Sequence, residues 1–501
     1  MATLREAIDR HADARPDAPF LLAPEPGTTL SYAALRATAR SLGAELAAKG
    51  IAPGEVVSYM LPNGVSAASV FLGGMYAGYV VSPVSLLAQD ALIEHTLAHS
   101  ETRIVYAAPE FVARLMSIVE RVGSRAIVRP ASPDDLGLSE AADASLPALV
   151  SGTPAMLMYT SGTTGKPKGA LLSHGNLIHA GRVVSAAHEL TPRDRVLSSL
   201  PLYHVNGQCI ATVAPLVSGG SVVMPHRFSV SQWWPLVERY RPTWLNVVPT
   251  IIAYLTNGPE LSPAQAAACR DVRFARSASA PLPPEHHRAF EARFGISVLE
   301  AMGLTECASV AFANPLDPAE RRLGSPGRPL GMEARVVAPD GAVLGDGERG
   351  EIELRGDNVM LGYHKDPGAT ARALRPGGWL ATGDLGYRDG DGFYFVTGRL
   401  KELIIKGGEN IAPREIDEAL LKHPAVLEAA AVGIPDREYG QEILACVVLK
   451  PGAACSEDEL RAHCLTELGR YKTPKLFRFV AELPKGPSGK VQRLKLVDST
   501  G

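Results

Sequence analysis

Residues 159–169 read Tyr-Thr-Ser-Gly-Thr-Thr-Gly-Lys-Pro-Lys-Gly and follow directly on the apolar run Ala155-Met156-Leu157-Met158. A buried strand that stops at such a loop belongs to a sheet whose end holds an anion. Glycines let backbone N–H groups approach closely, four hydroxyls donate, and two lysines neutralise charge, so the loop suits a polyphosphate. It is not a Walker A loop, because Gly162 and Gly165 are separated by two residues and Lys166 precedes Pro167. A plain surface turn explains it less well, since linkers rarely combine Thr-Thr with Lys-Pro-Lys.

With 501 residues, the chain exceeds one ordinary core, and more than one domain is expected. From residue 4 to about 325 the pattern alternates between helix and strand. A helix is read from Tyr32, and strands at 56–61, 104–106, 196–199, 221–224, 244–247, 272–275 and 297–300, as in parallel sheets flanked by helices. Short strands with Asp-Gly and Pro-Gly turns over about 325–398 indicate a β-rich subdomain. Helix and strand alternate again afterwards, enough for a small α+β domain.

Composition removes several classes of function. A net charge of -3 with 21% charged residues disfavours a nucleic-acid partner. Six scattered cysteines without a Cys-x-x-Cys pair fit reduced thiols rather than disulfides or zinc. There is no signal-peptide pattern, no apolar run long enough for a membrane span and no C-terminal targeting signal, so a cytoplasmic location is expected.

Five further clusters fit a nucleotide, each with an ordinary alternative. Thr305-Glu306 after a strand suits a phosphate and a hydrated Mg²⁺, or equally a helix cap. Asp384 in Trp-Leu-Ala-Thr-Gly-Asp suits ribose hydroxyls, or equally an Asx-turn. Arg399, in Gly-Arg-Leu-Lys-Glu, supplies a guanidinium to the same region. Lys406-Gly407-Gly408-Glu409-Asn410 reads alone as a tight turn, and Lys490, in Gly-Pro-Ser-Gly-Lys, reads alone as a solvated lysine.

Together, in this order, these motifs make the chain resemble the class I adenylate-forming superfamily, in particular its acyl- and aryl-CoA synthetases. The resemblance spans roughly 30–493. It implies a large multi-subdomain N-terminal domain over 1–400 and a small mobile C-terminal domain over 401–501, with Lys401 as hinge. It implies that Thr160, Ser161, Gly162, Thr163, Thr164, Gly165 and Lys168 hold the ATP β- and γ-phosphates. Thr305 contacts the α-phosphate, Glu306 holds Mg²⁺, and Asp384 with Arg399 holds the ribose. Ser279, Ala280, Met302 and Gly303 border the nucleotide. His204, Asn206, Val248, Arg276, Ser277, Gly303 and Ser309 border the acid, and Gly408 borders the pantetheine channel. Lys490 is the catalytic lysine of adenylation, with His204 as a further cation.

The implied reaction activates a carboxylate with ATP and passes the acyl group to coenzyme A. The alternatives are an acyl-AMP ligase loading a carrier protein and a degenerate nucleotide-binding regulator. A homodimer is compatible with either. The stretch 201–207 lacks the Phe-Asp pair of amino-acid-activating relatives, and Met302 stands where an aromatic residue often stacks on adenine. The segments around 274–281 and 314–316 are similar to oxalate–CoA ligases, although Asn206 and Ser309 replace histidines of that branch. Arg276 is either a partner for a second carboxylate or a structural salt-bridge residue, and the acid is expected to be short- or medium-chain aliphatic, aromatic or oxalate-like.

Overall fold

The structure is a computed structural model that describes residues 1–139, 145–160, 167–485, 491–493 and 495–498. The loop residues Ser161, Gly162, Thr163, Thr164 and Gly165, and the lysine Lys490, lie outside the described residues.

Two large sheets form the body of a mixed α/β fold. In one, the strands Arg195–Leu197, Ser221–Val223, Trp244–Val247, Phe274–Ser277 and Val298–Met302 run parallel, with helices in the connections. In the other, Val56–Met60, Val80–Pro83, Ile104–Ala107 and Ile127–Pro130 are parallel. The Pro154–Thr160 and Lys168–Ser173 strands then close that sheet as an antiparallel hairpin, continued by Gly362–Tyr363. A core of fully buried side chains, including Tyr32, Tyr59, Phe71 and Phe274, lies between these layers.

Next along the chain come antiparallel strands, Glu333–Val337, Gly350–Arg355, Leu374–Arg375, Trp379–Arg388 and Tyr394–Arg399. The small C-terminal domain has separate cores, one around Ile404, Ile416 and Val447 and one around Leu444 and Leu496. The helix Pro413–Leu421 covers its three-stranded sheet of Val426–Asp436, Gly440–Leu449 and Leu476–Phe479.

One boundary shift matters for function. Sequence places a strand at 272–275, ending before Arg276, whereas the strand runs Phe274–Ser277 and includes it. Neighbouring strands pair with Arg276 through Asn246 on one side and Leu299 on the other, so the sheet extends through a charged residue.

Candidate active site

Ligands of open parallel sheets gather at the carboxyl ends of the strands. Here the strands Trp244–Val247, Phe274–Ser277 and Val298–Met302 end in the segments 248–250, 278–281 and 303–309. Thr250, Ala253, Ser277, Ser279, Ala280, Met302 and Gly303 line one wall of a deep cleft. Asp384 and Arg399 line its floor, and Glu418, Lys485, Val491 and Arg493 of the small domain line the opposite wall.

The segments after these strands hold strained backbone. Ser279 has φ 75°, and Ala308 and Ser309 have φ 51° and 66°, all in the left-handed region that non-glycine residues avoid. The two consecutive residues fold the 303–309 segment back on itself. A Cβ on Gly303 would lie 2.0 Å from the Ser309 carbonyl oxygen, so this position requires glycine.

Adjacent antiparallel strands bring Asp384 and Arg399 together as register partners. Arg399 Nε donates to Asp384 Oδ1 at 2.8 Å, while the buried Oδ2 has no hydrogen-bond partner among the described residues. A buried carboxylate beside a guanidinium, with one oxygen unsatisfied, is an acceptor prepared for hydroxyl donors. The buried Ser277 Oγ is likewise unpartnered where it lines the cleft.

Glu306 lies in a short 3₁₀ turn, Thr305–Cys307. Tyr363 donates its O–H to Glu306 Oε1 at 2.8 Å, and the Lys168 ammonium lies 4.9 Å from the centre of the Tyr363 ring. Thr160 and Lys168 face each other at the ends of the hairpin strands. Tyr363 therefore joins the carboxylate of one motif to the lysine of another. Sequence reasoning missed it because its partner is 57 residues away.

The acid side of the site is a polar network in an apolar core. Arg276 is 2% exposed. Nη1 reaches Asn206 Oδ1 at 3.5 Å, the outer limit of a hydrogen bond, and Nε has no partner among the described residues. Burial pushes its pKa down to about 9, and no carboxylate contributes to the shift. Asn206 also accepts from Asn246 Nδ2 at 3.1 Å and donates to Ser279 Oγ at 3.0 Å, which connects the guanidinium to the cleft wall. Of the two roles read for Arg276, the structural salt bridge therefore has no partner among the described residues.

His204 differs from expectation in charge. Its Nδ1 accepts the Asn206 backbone N–H at 3.2 Å, and burial pushes its pKa down to about 4. It is a neutral imidazole at pH 7, able to donate through Nε2 but not to act as a cation. Val248 is buried in the core, and its neighbour Thr250 faces the cleft instead. Ser309 is buried. Gly408 is exposed in the turn between the Ile404–Lys406 and Glu409–Ile411 strands and does not line the cleft. Lys401 is exposed between the last strand of the β-rich region and the small domain. Lys485 and Val491, on either side of Lys490, both line the cleft.

Comparison with known proteins agrees with this geometry. The family described as "AMP-binding enzyme" matches residues 8–364, and "AMP-binding enzyme C-terminal domain" matches 415–490. A sulfoacetate–CoA ligase of Cupriavidus necator is 56% identical, with 99% of this chain and 97% of that protein covered. An oxalate–CoA ligase of Arabidopsis thaliana is 33% identical over 89% of this chain and 88% of its own. The crystal structure of ATP-bound MatB from Rhodopseudomonas palustris superposes with a TM-score of 0.90 at 32% identity, covering 99% of this chain and 98% of that one. The chain belongs to the AMP-binding enzyme family and is an AMP-forming acid–thiol ligase that uses ATP and coenzyme A.

Proposed function

We propose that the acid this ligase activates is small and carries a second anionic group, a sulfonate or a carboxylate, held by Arg276. The buried guanidinium without a carboxylate partner among the described residues is the observation that carries this reading. An isolated buried cation is costly, and an anion from the substrate would offset that cost while the neutral Asn206 and His204 orient it. The 56% identical sulfoacetate–CoA ligase and the 33% identical oxalate–CoA ligase both act, by name, on acids of this kind.

In the reaction as we read it, a carboxylate oxygen attacks the α-phosphorus of ATP and pyrophosphate leaves. The coenzyme A thiol then attacks the acyl carbon and AMP leaves. The loop 159–169 grips the β- and γ-phosphates through Thr160, Ser161, Thr163, Thr164 and Lys168, and Thr305 contacts the α-phosphate. Asp384 Oδ2 takes the ribose hydroxyls. Glu306, steadied by Tyr363, would hold Mg²⁺, whose charge offsets that of the polyphosphate.

Lys490 meets the reacting groups during adenylation, which the placement of Lys485 and Val491 at the cleft supports. We place the hinge at Lys401, between domains 1–400 and 401–501. Rotation about it would bring the turn around Gly408 to the pantetheine channel. Six free cysteines, five of them buried, accord with a cytoplasmic setting.

An AMP-release assay over a panel of acids, with and without coenzyme A, tests the proposal. Sulfoacetate, oxalate or malonate should give coenzyme A-dependent turnover well above propionate and benzoate. Preference for a monoanionic acid would refute the reading.

A further inference from the structure

The helix Asp90–Ser100 carries His95 and His99 one turn apart, on the face turned toward the Pro154–Thr160/Lys168–Ser173 hairpin. His95 Nε2 donates to the Pro167 carbonyl at 2.9 Å, immediately before the strand that leaves the phosphate loop. His99 Nδ1 shares a hydrogen bond of 2.8 Å with the Tyr159 hydroxyl, on the strand entering it. The two imidazoles stack at 5.2 Å, and both meet the Tyr159 ring edge-on, at 6.0 and 5.8 Å.

The arrangement is braced from behind. His364 packs edge-on against His99 at 5.5 Å, and its backbone N–H donates to Gly169 at 2.7 Å. Lys365 donates to the His99 carbonyl at 3.2 Å and pairs with Glu101 at 2.9 Å. Burial, then repulsion from His95, His364 and Lys365, lowers the pKa of His99, so its ring is neutral at pH 7. The described residues contain no group of three or more metal-ligating side chains placed to hold a metal ion.

We propose that His95 and His99 are positioning residues for ATP. They hold Tyr159 and Pro167, the neighbours of Thr160 and Lys168, and so keep these two phosphate donors in place at the ends of the hairpin strands. A loop that must be ordered by its ligand binds more weakly than one held ready. The inference rests on reading 159–169 as the phosphate loop. It predicts an effect selective for the terminal phosphates: ATP binding depends on the two histidines, and AMP binding does not.

Calorimetric titration of the full-length chain with ATP and with AMP provides the test, using His95→Leu, His95→Gln, Tyr159→Phe and a loop control, Lys168→Ala. His95→Leu leaves the Pro167 carbonyl unpaired and should weaken ATP binding about tenfold with AMP affinity unchanged. His95→Gln keeps a donor within reach and should bind ATP nearly as the unaltered protein does. Tyr159→Phe removes the other grip with the ring retained, and should also lose ATP affinity selectively; it decides the matter if His95→Leu fails to fold. Selective loss in the loop control, with His95→Leu and Tyr159→Phe either unchanged or losing ATP and AMP alike, would overturn the proposal. A loop control without selective loss would overturn the phosphate-loop reading, and the histidine proposal with it.

Discussion

Arg276 distinguishes a ligand role from a structural one by the sign of its effect on stability. A guanidinium paired within the fold leaves an uncompensated partner when removed, at a cost of about 3–5 kcal/mol. Arg276 has no such partner among the described residues, and Asn206 Oδ1 retains Asn246 Nδ2 when the arginine is replaced. Arg276→Met should therefore unfold at the same denaturant midpoint as the parent, or a higher one. A fall of several kcal/mol in chemical denaturation would show a structural role. The sequence offers Arg276 as a ligand for a second carboxylate or as a salt-bridge residue, but its burial is not legible there. Its burial comes from two flanking strands brought in from elsewhere in the chain. Thr305-Glu306 and Asp384, in contrast, were legible because glycine and hydroxyl neighbours mark them locally.

Among elements, the helix Pro284–Phe294 and the strand Val298–Met302 are joined by a buried histidine. His287 Nδ1 lies 3.1 Å from Glu300 Oε1, and Nε2 lies 3.2 Å from Glu291 Oε1. Burial opposes its charge, but hydrogen bonds and charge from Glu291 and Glu300 outweigh that and hold its pKa above the ordinary histidine value. A raised pKa in the folded state contributes stability fully present below the unfolded value of about 6.5, and lost as pH rises through the folded value. Melting temperatures of the parent and His287→Gln should thus differ most near pH 6 and converge as pH rises. A gap that is constant with pH would contradict the charged pairing. The strand concerned ends at Met302, so this pairing supports the wall of the nucleotide cleft. Most elements were readable from their apolar pattern, Trp244–Val247 among them. The contacts between elements were not: Tyr363 to Glu306 and His95 to Pro167 join residues 57 and 72 positions apart.

For the whole molecule, the small domain is docked with its cleft wall toward the nucleotide site. Arg414 Nη2 donates to the Gly324 carbonyl at 3.4 Å and its Nη1 to the Val396 carbonyl, and Lys485 lies 5.7 Å from the Tyr254 ring centre. These few polar contacts suit a domain that must leave again, as the hinge reading requires. Lys490→Ala should then nearly abolish adenylation yet spare thioester formation from supplied acyl-adenylate, measured as separate half-reactions. Equal loss of both would contradict a lysine used in one orientation only.

The central claim, that Arg276 receives a second anion of the acid, is tested most directly by one matched comparison. The ratio of kcat/KM for sulfoacetate to that for methylsulfonylacetate, its neutral analogue at the far group, is measured in the parent and in Arg276→Met. The account predicts a parent preference for sulfoacetate of about 100-fold, the scale of a charged buried hydrogen-bonded pair, which collapses in the variant while the KM for ATP is unchanged. A variant that keeps the preference, or a parent that lacks it, would contradict the account.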